Sequence, residues 1–358
     1  MNFPTRSPKA SIVVLCYNGL EECTKTCIES IFAHTAPDSY ELILVDNHSS
    51  DGTAAYIQSL ATQHSHVTAI CNDANLGYAA GNNCGIRASA HSFIVLLNND
   101  TVVTARWLES LLAPFEKDEA IALVGPVTNS AGSQQHLCLP GLYSKEWERV
   151  AREYTTTHST LVRECRNLGF FCVAIRKAAL DVVGLLDEEY GLGMFEDDDL
   201  CLRMREAGYK IVMTDACFVR HLGSYSFQKL ERREVEQLFE TNRKRFFAKH
   251  NCKWTYTDFL CDIFNAVNTD FEYVGSSSIT IGKFGRIQTM QNGLAHQRII
   301  EESLRDKVDD LTAKLAAIGD ESAIITRYRL LYFIYKIFLI YHGQGMSGVV
   351  RAIYRRSK

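Results

Sequence analysis

Five short polar stretches hold the groups best suited to chemistry, and two of them directly follow an apolar run. Asp46 comes after Leu42-Ile43-Leu44-Val45 and leads into Asn47-His48-Ser49-Ser50-Asp51. A carboxylate at the end of a strand can accept a hydrogen bond from a nucleobase N–H or a ribose. The plainer reading is a loop that caps the next helix, which Ser50 or Asp51 could supply. Asn98-Asn99-Asp100 closes the most apolar run of the chain, Phe93 to Leu97. One carboxylate beside amide oxygens can hold a hard divalent cation whose remaining ligands are water and a diphosphate. Asn and Asp are also common in simple turns. His221, in Val219-Arg220-His221-Leu222-Gly223-Ser224, sits in a turn-like context where an imidazole can complete a metal shell.

Glu196-Asp197-Asp198-Asp199 follows Gly191-Leu192-Gly193-Met194-Phe195 and precedes an amphipathic helical pattern. Acids at a helix start are stabilised by the macrodipole, so Asp198 and Asp199 can be doing only that. Four in a row exceed what capping needs. Crowded carboxylates repel one another, and the pKa of at least one rises toward values useful to a general base. The segment from Asn75 to Gly85 packs Gly77, Gly81 and Gly85 among Asn75, Asn82 and Asn83. Glycine lets backbone approach a ligand, and asparagine can pair with ribose or sugar hydroxyls. It is neither a GxGxxG nor a Walker A sequence, so a phosphate-cradling loop is not expected here.

The elements that must position these groups are readable as well. Ile12 to Cys16, Leu42 to Val45, Val67 to Ile70, Phe93 to Leu97 and Ala122 to Gly125 are apolar runs bounded by turn residues and read as buried strands. Helical spacing joins Leu20, Cys23, Cys27, Ile28, Ile31 and Phe32, and a second helix is expected from Ala54 to Gln63. Strand and helix alternating at this interval predict an α/β domain, a mostly parallel sheet flanked by helices. Ligands of such sheets bind outside the carboxyl ends of the strands, where Asn18, Asp46 and Asn98 fall. The block from Phe170 to Leu222 is expected to complete the same domain with a strand, the acidic helix and a further strand pair. A helix is expected from Glu231 to Lys249.

The whole chain has 358 residues, 46% hydrophobic and 22% charged, with a net charge of -4. Those values exclude collagen-like, disordered and polytopic membrane classes and give no reason to expect nucleic-acid binding. Length predicts about two domains. The twelve cysteines include no CxxC pair and no apolar leader precedes them, so free thiols and a cytoplasmic protein are expected. The organisation reads as a catalytic domain over 1–250, a linker over 251–285 and a helical C-terminal extension over 286–358. Met290 to Ile318 carries a partial heptad that suits either a helical hairpin or a homo-oligomer helix. After Glu321 there are seven Lys or Arg, no acid and many aromatics. Such a tail suits the cytoplasmic membrane surface, a peripheral placement on the inner face, or a buried helix with basic solvent positions.

The ordered set IVVLCYN, VDNHSSDGT, NLGYAAGNNCGI, FIVLLNNDT, VGLLDEEYGLGMFEDDDLCLRMREAGYKI and VRHLGS resembles the family 2 glycosyltransferases of GT-A fold. It is most similar to the bacterial rhamnosyltransferase and galactofuranosyltransferase branch that builds surface polysaccharides. The resemblance spans about residues 9 to 250. It implies a Rossmann-like sheet, a UDP- or dTDP-sugar donor and Mg2+ or Mn2+ as cofactor. It also implies an inverting transfer to a glycan acceptor, expected to be lipid-linked. By position, Asp46 and Asn18 would line the donor pocket with Asn75, Gly77, Asn83 and Asp199. Asn98, Asp100 and His221 would form the metal site, and Asp197, with Glu196 beside it, would be the general base. Asn98 stands where the family has the first carboxylate of its DxD motif. That departure supports the rival expectation of a non-catalytic scaffold that recruits a partner. There is no QxxRW motif, which disfavours processive synthesis.

Overall fold

The computed structural model describes residues 9–131, 133–137, 140–223 and 232–251. The expected linker beyond its first residue, the partial heptad and the basic aromatic tail lie outside them. Among the described residues no helix is long and apolar enough to cross a membrane, and nine cysteines are free thiols.

The apolar runs form strands because β-branched side chains fit a pleated surface buried on both faces. β1 (Ala10–Cys16), β2 (Tyr40–Asp46), β3 (Val67–Cys71) and β4 (Phe93–Asn98) lie parallel in the order β3-β2-β1-β4. The pairing register sets Cys16 beside Asp46 and Leu15 beside Asn98. The three polar strand ends therefore stand in one row, as the alternation of elements predicts. Crossovers are made by α1 (Lys25–His34), preceded by a wide helical turn at Leu20–Thr24, then α2 (Thr53–Gln63) and α3 (Gly77–Ala88).

Beyond β4 the sheet changes character. The remaining strands are β5 (Thr101–Val103), β6 (Ile121–Val127), β7 (Val162–Glu164), β8 (Cys172–Arg176) and β9 (Lys210–His221). β8 lies antiparallel to both β4 and β6, β9 runs parallel to β6, and β5 and β7 pair antiparallel with β9. The parallel order thus belongs to the first half, and the second half is mixed. α4 (Trp107–Lys117), α5 (Trp147–Thr157), α6 (Lys177–Val183), α7 (Glu196–Glu206) and α8 (Arg232–His250) flank it.

Two expectations are corrected. The strand pair after Ala207 is the single strand β9, twelve residues long. Its register jumps from Pro126 opposite Thr214 to Val127 opposite Phe218, a bulge at the polar Thr214-Asp215-Ala216 that imitates a turn in the sequence. Asp215 is tolerated there because Arg163 pairs its carboxylate at 2.6 and 2.9 Å. The glycines of the Gly- and Asn-rich segment, expected to let backbone approach a ligand, lie in α3, and two of them face β1 instead. A Cβ at Gly81 would lie 2.5 Å from Leu15, and one at Gly85 would lie 2.3 Å from Val13. These two glycines let the helix sit directly on β1, where their side of α3 touches strand side chains.

Candidate active site

The site is built from the row of strand ends. Asp46 is 2% exposed. Its Oδ2 accepts from the Ser49 amide at 3.1 Å, while its Oδ1 is buried without a hydrogen-bond partner. A buried carboxylate oxygen left unpaired costs roughly 1–3 kcal/mol or more, a cost that a ligand N–H or O–H would remove. Asn18, in the left-handed region at φ 53, accepts from the Ser50 amide at 2.9 Å, and its own amide donates to Ser49 Oγ. It thus ties the β1 and β2 ends together. Asn47, which the sequence does not single out, donates to Asn75 Oδ1 (2.8 Å) and Gly77 O (3.1 Å) and accepts from Asn72 and the Leu76 amide. Asn75 and Gly77 are therefore part of a hydrogen-bonded corner just beyond the end of β2. Gly77 has φ 82, and a Cβ there would stand 1.9 Å from Gly191 O. The start of α3 and the loop before the acidic cluster touch through it.

The second group stands where β5, just after β4, pairs with β9. Thr101 pairs with His221, which brings Asp100 to the imidazole. His221 Nδ1 donates to Ser130 O at 2.8 Å, so Nε2 is directed to the other side. It lies 3.3 Å from Asp100 Oδ1, near enough for an ion pair but not aligned for a hydrogen bond, and it is buried without a hydrogen-bond partner. Burial pulls the His221 pKa down, but the Asp100 carboxylate outweighs it and the net shift is upward. Phe171 stacks on the ring at 5.2 Å. Asn129 accepts from the His221 amide (2.9 Å) and donates to its carbonyl (3.0 Å), a backbone clamp with no signal in the sequence. An imidazole whose far nitrogen is fixed by a carbonyl, beside a carboxylate, is a fitting donor pair for a divalent cation. Asn98, partly exposed, stands two positions before Asp100 at the end of β4. Asn99 is turned inward and donates to Thr24 Oγ1 at 2.8 Å.

The acidic cluster opens α7. Glu196 is 6% exposed, with Oε2 buried and without a hydrogen-bond partner. Burial, then the Asp197 charge, pushes its pKa far up. Asp197 is half-buried; burial and then Asp198 push its pKa up to about 7, opposed by the Asp198, Asp197 and Phe170 amides. Tyr78 donates to Phe170 O at 2.5 Å. Its hydroxyl is held protonated by burial, then by Glu196 and Asp197, with a smaller effect of Asp100, so one phenol senses both acidic groups. Met194 and Phe195, just before the cluster, both have positive φ, 74 and 76. Non-glycine residues there store about 1–3 kcal/mol each, and such strain gathers at functional loops.

Two expected donor-pocket residues stand apart. Asn83 is 1% exposed; it donates to Leu186 O (2.9 Å) and Glu188 Oε1 (2.8 Å) and accepts from the Leu186 amide. Asp199 has a fully buried carboxylate paired with Arg203 (2.8 Å), Lys249 (2.7 Å) and His250 (2.7 Å). Both brace the fold, because their polar atoms are already taken by protein groups.

A parallel half with a carboxylate at its second strand end, joined to a mixed half that carries a second acidic site, defines a GT-A domain. A crystal structure of GalNAc-T7 with UDP, GalNAc and Mn2+ shares this fold. It matches at TM-score 0.51 and 14% identity over 75% of this chain and 58% of that one. Residues 11–184 match the family model of Glycosyl transferase family 2. Among curated relatives, the O-antigen biosynthesis protein RfbC of Myxococcus xanthus is 25% identical over 60% of this chain and 17% of its own length. The pre-mycofactocin glycosyltransferase of Mycobacterium tuberculosis is 30% identical over 50% of this chain and 37% of its own. The chain spans well under half the length of these relatives.

Proposed function

We propose that this chain is an inverting glycosyltransferase that moves a sugar from a UDP- or dTDP-sugar to a hydroxyl of a glycan acceptor in surface-polysaccharide synthesis. The observation that carries the reading is Asp46 Oδ1, buried without a hydrogen-bond partner, in the same sheet as a His221 whose Nε2 faces the Asp100 carboxylate at 3.3 Å. Asp46 would accept from the nucleobase or ribose of the donor. Asp100 and His221, with Asn98, would hold Mg2+ or Mn2+, which when bound supplies positive charge to the departing diphosphate. Asp197 takes the proton of the acceptor hydroxyl as that oxygen bonds to the anomeric carbon. The bond from that carbon to the diphosphate oxygen breaks, and its electron pair leaves with the nucleoside diphosphate. A single displacement inverts the centre. A carboxyl poised near neutrality suits this task better than one that is fully ionised, because it can bind the proton it removes. Glu196, more strongly held in its neutral form, would donate a hydrogen bond to the acceptor.

The acceptor would be lipid-linked and met at the cytoplasmic face of the membrane, where the basic aromatic tail of the sequence would hold the enzyme. Homo-oligomerisation through the segment 286–358 belongs to the same proposal. The decisive experiment measures transfer and sugar-nucleotide hydrolysis across UDP and dTDP donors for Asp197→Asn and Asp100→Ala. Full activity in both would remove this mechanism. Asn98 in place of a carboxylate favours a second reading, a non-catalytic scaffold domain. Calorimetric titration with Mn2+ and the same donors separates the two, since absence of binding at millimolar ligand would favour the scaffold.

A further inference from the structure

α8 lies far along the chain from the acidic cluster, yet its inner face is built around the loop that leads into it. Asn242 is 1% exposed. Its side-chain amide nitrogen donates to Tyr190 O at 2.8 Å, Gly193 O at 2.8 Å and Met194 O at 3.2 Å. Those carbonyls belong to a loop with few other ways to run, since Gly191, Gly193, Met194 and Phe195 have φ of 61, 141, 74 and 76. The Phe195 ring is held between Phe239 at 5.0 Å and Phe246 at 5.7 Å, both on α8. The end of the same helix grips α7 through Lys249 and His250 on Asp199. Phe195 is the last residue before α7, so its backbone sets the direction in which Glu196 and Asp197 leave the loop.

A loop in sparsely populated conformations stays there only where its surroundings over-determine it. Among the hydrogen bonds of the described residues, the Asn242 side-chain amide alone reaches three carbonyls of this loop. We infer that Asn242 is a positioning residue: by pinning the carbonyls of Tyr190, Gly193 and Met194 from α8, it fixes where the Asp197 carboxyl stands and how far it is withdrawn from water. Aspartate at this position would turn lone pairs toward the three carbonyls, alanine would remove the side-chain donor from all of them and leave Tyr190 O only the Gly193 amide at 3.4 Å, and serine would offer one donor for three acceptors.

The inference rests on Asp197 as the base, so the test reads that group directly. Full-length protein labelled at the aspartate carboxyl carbon is titrated by NMR, the Asp197 resonance being the one lost in Asp197→Asn. Asn242→Ala and Asn242→Ser are compared with Phe247→Ala, a truncation on α8 at a residue that makes no hydrogen bond to the loop among the described residues. The expected result is a displaced Asp197 titration midpoint, by about half a unit or more, in both Asn242 variants and an unmoved one in Phe247→Ala, since a carboxyl's midpoint follows its burial and neighbours. Binding of UDP with Mn2+ by all three variants checks that the donor side of the domain remains folded. A midpoint unchanged in Asn242→Ser overturns the inference, whether or not Asn242→Ala folds. Equal displacement in Phe247→Ala also overturns it, because the effect would then be general loosening of α8. Undiminished sugar transfer in Asp197→Asn would instead sink the proposed mechanism and leave the titration result standing.

Discussion

The two halves of the sheet hold their polar groups by different means. Around β1, β2 and α3, short-range amide contacts do the work: Asn18, Asn47 and Asn75 bond to one another's loops with neutral groups. Around α7 and α8 the anchors are ionic and long-range, with Asp199 buried among Arg203, Lys249 and His250 and Asp187 paired with Lys249 at 2.6 Å. The first half could form from its own sequence neighbourhood, since each crossover is local. The second exists only after α8 has returned to it. A neutral network suits a pocket that must offer one carboxylate, Asp46, to a ligand. An ionic clamp suits a loop held under strain beside carboxyls whose pKa values must stay high.

The sharpest way to break that contrast is at the base itself. Asp197→Asn should lower transfer by about 10²–10⁴-fold, the range for removal of a positioned general base, with UDP affinity little changed. Assay of nucleoside diphosphate release against calorimetric binding checks both halves at once. Next in size is Asp199→Ala, expected to destabilise the folded domain by about 3–5 kcal/mol because it leaves the largely buried Arg203 guanidinium without its carboxylate. Denaturant unfolding should show it. Loss of only a few tenths would mean that the clamp is solvated and that the two halves are not so different.

A smaller effect is expected in the neutral half. Gly85→Ala places a methyl 2.3 Å from Val13 and should cost about 1–3 kcal/mol by overpacking. The melting temperature reads this, and an unchanged value would show that α3 can lift from β1. The last contrast is the pH dependence. Asp197 has a folded pKa raised to about 7 from 3.8, so the folded state favours its protonated form. Its contribution to stability is fully present below the unfolded pKa and is lost as pH rises through about 7. Asp197→Asn should therefore gain stability over the parent progressively between these limits, and the parent's transfer rate should fall on the acid side of the same midpoint. Identical melting profiles of the two proteins from acid to neutral pH would contradict the sign.

The strand ends were legible because a buried strand is an uninterrupted apolar run and the first polar residue after it is conspicuous. Asp46, Asn98 and Asp100 are found this way. The glycines of α3 mislead, since a residue without a side chain looks the same whether a ligand or a neighbouring strand needs the space. Asp199 misleads for a related reason: one carboxylate in a run of four gives no sign that it turns inward to partners some fifty positions away. Asn129 and Asn242 carry no local signal, because what each does is bond to backbone atoms whose positions are set by the whole sheet. β9 was divided by the polar triplet at its bulge, a feature whose cost is met by Arg163 and not by the strand.

The sequence by itself determined the alternation of strand and helix, the row of polar residues at the carboxyl edge and the family that the domain resembles, since these follow from periodicity and from the order of short motifs. Only the tertiary structure decided which polar atoms remain unpaired. Asp46 Oδ1 and His221 Nε2 are left without hydrogen-bond partners, while the amide of Asn83 and the carboxylate of Asp199 are taken up. Whether a buried group can meet a ligand depends on which distant groups reach it first, and that is fixed by packing and not by residue type.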